Sequence, residues 1–263
     1  MTERDVIADF SADAAEFEGL VAGLDEAGWQ TPTPAPRWAV AHQVAHLAFI
    51  FRLAGAAAAE PEVFQAMAAQ AAGNFEGAVN AALDAYLGDP PEVLLSRWRA
   101  ERDTAIKALA AVPADQVVPW LVRPLPPAVL CCAGMMELFA HGQDIADALG
   151  VTRTRTDRLW HVAWFITLTW DFGYQARGLA TPDVRFRYEL TAPSGALWMF
   201  GPEDAEQRIT GPAEDFCLLA TRRRHRDDLA VKAVGPDAER WLDIAQAYRG
   251  PAGEGRQPGQ FRS

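Results

Sequence analysis

Long hydrophobic runs are missing from this sequence. The richest apolar stretch, Leu47 to Ala59, is interrupted by Arg52 and falls short of the roughly 20 apolar residues that a membrane-spanning helix needs. No basic amino-terminal segment leads into an apolar signal core, so a cytoplasmic protein with no membrane partner is expected. Clustered positive charge is scarce too: 24 Lys and Arg stand against 35 Asp and Glu, a formal net charge of -11. Such a balance disfavours phosphate backbones, which argues against nucleic acid and leaves a small-molecule substrate as the expected partner. Of three cysteines, Cys131 and Cys132 are adjacent and cannot form an ordinary unstrained bridge, while Cys217 has no evident mate. That usage fits a reducing compartment, and the three read as small core residues. There is no internal repeat.

What is present is enough apolar residue to bury a core. Half of the 263 residues are hydrophobic and 22% are charged, the make-up of a globular protein, and the length favours two modest domains over one. Val6, Ile7, Phe10, Phe17, Leu20, Val21 and Leu24 recur at helical spacing and define a first helix. "TPTPAPRW", residues 31 to 38, holds three prolines and predicts an extended connection before a second helix that starts near Trp38. An irregular helical stretch is predicted over 54–87 and a long regular helix over 90–112, set apart by Pro90 and Pro91. After the proline-broken "VVPWLVRPLPP" a helix is expected from about Ala128 to Leu149, closed by Gly150. The pattern to this point is an antiparallel helical bundle.

Beyond it the periodicity changes. A single aromatic-rich helix is predicted over 158–175. "VRFRYELTA", "ALWMFG", "QRITG" and "LAVKAVG" then read as short strands, with helices over 213–222 and 237–248. The expected class is α+β, with a bundle over 1–155, a connecting aromatic helix over 156–180, a small α+β domain over 181–250 and a flexible tail over 251–263.

One constellation carries chemistry. In "MMELFAHGQDIADALG", residues 135 to 150, Glu137 and His141 stand four apart and share a helix face flanked by apolar residues. A carboxylate facing a bundle core is costly unless it is paired, protonated or bound to a cation. E-x-x-x-H plus a histidine from a facing helix supplies two imidazoles and one carboxylate, a set that suits zinc and leaves coordination positions open. "WAVAHQVAHLAF" carries two more of the five histidines, His42 and His46, spaced as in the H-E-x-x-H zinc helix. Gln43, however, stands where that motif needs its carboxylate base.

"W-x-V-x-x-x-x-A-H-L-A" near residues 38 to 48, together with "E-L-F-A-H-G-Q-D-I-A-D-A-L-G" at 137 to 150, resembles the DinB-like metalloenzyme superfamily, in its mycothiol-dependent maleylpyruvate isomerase branch from actinobacteria. The later stretches "GPEDAEQRITGPAEDFCLLATRRRHRDD" and "GPDAERWLDIAQAYRGPAGEG" extend the likeness to a metal-binding subgroup with a small α+β domain, so that it covers nearly the whole chain. The resemblance implies a DinB-like antiparallel four-helix bundle, makes His46, Glu137 and His141 the metal ligands and leaves His42 outside the metal pattern. It departs after the His-Leu-Ala step, where this chain has Phe49, Ile50, Phe51 and Arg52 in place of the Trp and acidic residue often found there. Asp144, one turn beyond His141, falls where a carboxylate could orient an imidazole.

The resemblance therefore implies a divalent-metal enzyme, with zinc favoured, that uses a small thiol cofactor such as mycothiol for isomerisation of, or transfer to, an electrophilic small molecule. The run "TRRRHRDD" is the local basic cluster: Arg222 and Arg224 are its candidate anion-binding residues, and the alternative is a solvated helix end where the arginines meet the carboxy-terminal dipole with Asp227 and Asp228 as salt partners. Two alternatives stand beside this reading. One is a thiol-independent metal hydrolase or Lewis-acid cyclase or lyase. The other is a non-catalytic metal-containing binding module in which Trp160, Trp164, Trp170 and Phe172 hold an apolar ligand.

Overall fold

A computed structural model of the chain describes residues 5–71, 75–121 and 123–261. It divides into two compact units, residues 1–152 and 153–263. The expected connecting helix thus belongs wholly to the second.

The first unit is helical. α1 (Val6–Val21) opens on Asp5, whose carboxylate accepts from the backbone N–H groups of Ile7 and Ala8, and it buries Phe10, Ala14, Phe17 and Val21 along one stripe. The short α2 (Glu26–Trp29) follows. The proline-rich connection is extended as expected, with Pro32 bridged to Ala39 and Thr33 N donating to the Trp38 carbonyl at 2.8 Å. α3 (Val40–Ala59) is then capped by His42, whose Nδ1 accepts from Ala39 N at 3.1 Å.

α3 is the one helix among the described residues long and apolar enough to cross a membrane, and most of it is buried in this unit. It runs five residues past Ala54, where the irregular stretch was expected to begin. The break falls at Pro61, which starts α4 (Pro61–Ala71); α5 (Phe75–Leu87) follows, and residues 72–74 of that stretch lie outside the described residues. α6 (Pro91–Ala111) and α7 (Pro127–Leu149) each begin with proline in the first turn, where the missing N–H costs nothing. Gly150 closes α7 at φ 65°, the left-handed cap that glycine adopts without strain.

α1, α3, α6 and α7 form the four-helix bundle. α3 and α7 are antiparallel: Gln43 meets His141, while His46, one turn on, meets Glu137. α3 and α6 advance in the same sense, because Phe51 edges onto Trp98 at 6.5 Å and Gly55 lies against Ala105 further along both helices. The long connection through α4 and α5 permits this parallel pair.

The second unit holds α8 (Leu159–Leu168) and α9 (Phe172–Gln175) in place of the single helix expected over 158–175. The break is at Thr169, whose hydroxyl turns back to the Phe165 carbonyl at 3.0 Å. β1 (Phe186–Thr191), β2 (Leu197–Phe200), β3 (Gln207–Pro212) and β4 (Lys232–Val234) form one sheet in the order β2-β1-β3-β4, antiparallel except for the β1–β3 pair. α10 (Ala213–Ala220) and α11 (Pro236–Ile244) cover it, and Phe186, Tyr188, Ile209, Phe216 and Trp241 make the core beneath them.

Residues 250–261, expected as a loose tail, are tied to this unit. Gly259 N donates to both Asp228 carboxylate oxygens at 2.9 and 2.8 Å, and Gln246 Nε2 donates to the Gly250 carbonyl at 3.1 Å. Residues 262 and 263 lie outside the described residues.

Candidate metal centre

The site is built by two antiparallel helices. α7 presents Glu137 and His141 one turn apart, and α3 presents His46 to them. One ligand atom from each of the three lies within 4.8 Å of the others. His141 Nε2 is 3.1 Å from Glu137 Oε2, His46 Nε2 is 3.6 Å from the same oxygen, and the imidazole rings stand 4.6 Å apart.

Burial alone would raise the Glu137 carboxyl, but when the imidazoles are protonated their hydrogen bonds and charge, from His141 and then His46, outweigh it and hold the group well below the usual carboxylate range. Glu137 is therefore an anion wedged between two nitrogen bases. Trp38 roofs the cluster, its ring centroid 5.3 Å from His46 and 5.9 Å from His141.

Gln43 was the residue that spoiled the zinc-helix motif. Its Oε1 lies hydrogen-bonded to His141 Nδ1, and its Nε2 donates to Thr33 Oγ1 at 2.9 Å. Sequence reasoning missed this role; the signal was a helix face shared with His46, three positions on. Asp144, the expected partner of an imidazole, is fully buried on α7, while Gln43 is what meets His141 Nδ1. His42 stays outside the cluster and stacks 6.5 Å from Trp38, with burial holding its imidazole below its ordinary value against the opposing charge of Asp84.

Arg222 and Arg224 lie in the second unit and find partners there. Arg222 Nη2 donates to the Gly253 carbonyl at 3.4 Å, and the Arg224 guanidinium sits 4.2 Å over the Phe261 ring. The aromatic wall separates into two groups: Trp160 stacks on Trp164 at 5.7 Å, whereas Trp170 packs on Phe186 at 4.9 Å.

The residues fit a divalent ion. Two imidazole nitrogens and an ionised carboxylate converge, a donor set matched to zinc and its neighbours, and the three leave coordination positions for other ligands.

Fold and cluster together define a helical-bundle protein with a candidate His-Glu-His centre. The model of the mycothiol maleylpyruvate isomerase N-terminal domain matches residues 10–146, just over half of the chain, and a model described as wyosine base formation matches residues 183–233. The chain belongs to the mycothiol maleylpyruvate isomerase N-terminal domain family. It is 43% identical over 250 residues to two uncharacterised proteins of Mycobacterium tuberculosis, from strains CDC 1551 and H37Rv, covering 95% of this chain and 97% of theirs. Its fold is similar to crystal structures of the mycothiol-dependent maleylpyruvate isomerase and of a mutant of it, with a TM-score of 0.57, 15% identity, and coverage of 87% of this chain and 91% of those.

Proposed function

We propose that the protein is a divalent-metal-dependent enzyme, with zinc the favoured ion, that uses a small thiol such as mycothiol to isomerise, or transfer onto, an electrophilic small molecule. The observation that carries this reading is the convergence of His46, Glu137 and His141. The family supports the thiol, since its description names mycothiol and maleylpyruvate isomerase. His46, Glu137 and His141 would hold the ion, which when bound would keep a thiol as its thiolate near neutral pH.

The chain's own residues do the rest. Glu137 supplies the one negative charge in the triad, Gln43 orients His141, and Trp38 restricts both imidazoles from above. The buried, unbridged cysteines fit the reducing, cytoplasmic setting that a thiol cofactor needs.

The test is elemental analysis of protein purified without chelator or nickel, beside His46→Ala and Glu137→Ala. About one divalent ion per chain, lost in both variants, supports the site. Cobalt-loaded protein titrated with mycothiol should then develop a thiolate-to-cobalt absorption band. Wild type that is metal-free and refuses added zinc overturns the reading; a loaded protein that ignores thiols but hydrolyses esters or amides replaces it with metal-assisted hydrolysis.

A further inference from the structure

A chain of hydrogen bonds starting at the Trp38 carbonyl determines which nitrogen of His141 carries a proton. A carbonyl oxygen only accepts, so the Thr33 hydroxyl, 2.7 Å away, directs its single proton there. Thr33 Oγ1 is thereby left as an acceptor toward Gln43, at 2.9 Å, which turns the amide NH2 to Thr33 and the amide oxygen to His141. That oxygen cannot donate, so His141 Nδ1 must. In the neutral ring the free electron pair then sits on Nε2, 3.1 Å from Glu137 Oε2. Two electron-rich atoms face each other there, an arrangement that asks for a cation between them.

We infer that Gln43 is a positioning residue: a neutral amide, itself oriented by Thr33, that locks His141 as the Nδ1–H tautomer and keeps Nε2 open toward Glu137. Three separate parts of the chain meet in this lock: the proline-rich connection, α3 and α7. His46 has no equivalent, because its Nδ1 is buried without a hydrogen-bond partner among the described residues. The metal-binding duty of the lock rests on the function proposed above; the tautomer itself does not.

Two measurements on the full chain test it. In metal-free protein, nitrogen NMR at a pH where the ring is neutral should show His141 protonated at Nδ1, and Gln43→Leu should shift it toward Nε2–H. Zinc affinity, read by chelator competition, should fall about 10–100-fold in Gln43→Leu and by less in Thr33→Val. Gln43→Glu, which keeps the acceptor, should restore zinc binding to at least the wild-type level. Thermal melts of each variant identify any that simply unfold.

A wild-type His141 protonated at Nε2 overturns the inference, as does a folded Gln43→Leu that binds zinc like wild type. Wild type without zinc affinity removes the metal reading, and the tautomer spectrum still decides the role of Gln43.

Discussion

The ring of Phe10 occupies the space that any side chain on Gly134 would need. A Cβ at Gly134 would fall 2.6 Å from Phe10 Cζ, and Phe10 is itself held by a stack on Phe51 at 5.4 Å. α1 and α7 approach closely there because position 134 has no side chain. Gly134→Ala, normally a gain in mid-helix, should instead cost about 1–3 kcal/mol by overpacking. Urea denaturation of the variant beside wild type measures it; an unchanged midpoint would mean that Phe10 moves freely.

Acid should weaken the bundle through Glu18. Its carboxylate accepts from Arg99 at 2.6 Å and from Arg102, and the Arg99 hydrogen bond leads in holding its pKa below 4.5 against the opposing effect of burial. A lowered carboxyl contributes stability that is present in full above the unfolded value and lost as pH falls through the folded one. Glu18→Gln should therefore cost about 1 kcal/mol at neutral pH, and the gap to wild type should close below pH 4.5. Paired denaturation curves at neutral and acid pH read this directly.

The three thiols should be silent in the native protein. Burial pushes Cys131 up to about 12 and takes Cys132 and Cys217 well above their ordinary values. Iodoacetamide at mildly alkaline pH should label none of them until denaturant is added, as mass spectrometry would show. Rapid native labelling would contradict their place in the core.

Zinc held at the proposed centre should raise thermal stability. A ligand that binds only the folded chain at 100 times its dissociation constant contributes about 2.7 kcal/mol. Chelated wild type should melt earlier than zinc-loaded wild type, while Glu137→Ala should melt at one temperature with or without zinc.

Much of the site was legible because its chemistry is local. Glu137 and His141 share a face at i and i+4, and an acid among Met136, Leu138 and Phe139 signals a partner before any fold is known. Gln43 was illegible for the opposite reason: its partners, Thr33 and His141, lie ten residues before it and 98 after it, and only the bundle brings them together. The parallel run of α3 beside α6 was hidden likewise, since helical periodicity marks a buried face without its direction. The break at Thr169 lay within an unbroken aromatic pattern, where a hydroxyl competing for backbone carbonyls leaves no periodic trace. Arg222 and Arg224 stood out as charge in the sequence, and the partners they find in Gly253 and Phe261 lie in a stretch whose composition suggested no structure.

The apolar length of α3 also shapes how the chain is made. On the ribosome α3 is complete before Pro91 begins α6 and long before Pro127 begins α7, so the apolar faces it packs against those two helices wait uncovered. Nascent chains at that stage are expected to be held by chaperones, and chains truncated before Pro127 to precipitate. Arrival of α7 would release the chaperone and bring Glu137 and His141 to His46 in the same event, so that the last helix to cover the bundle core is also the one that completes the centre.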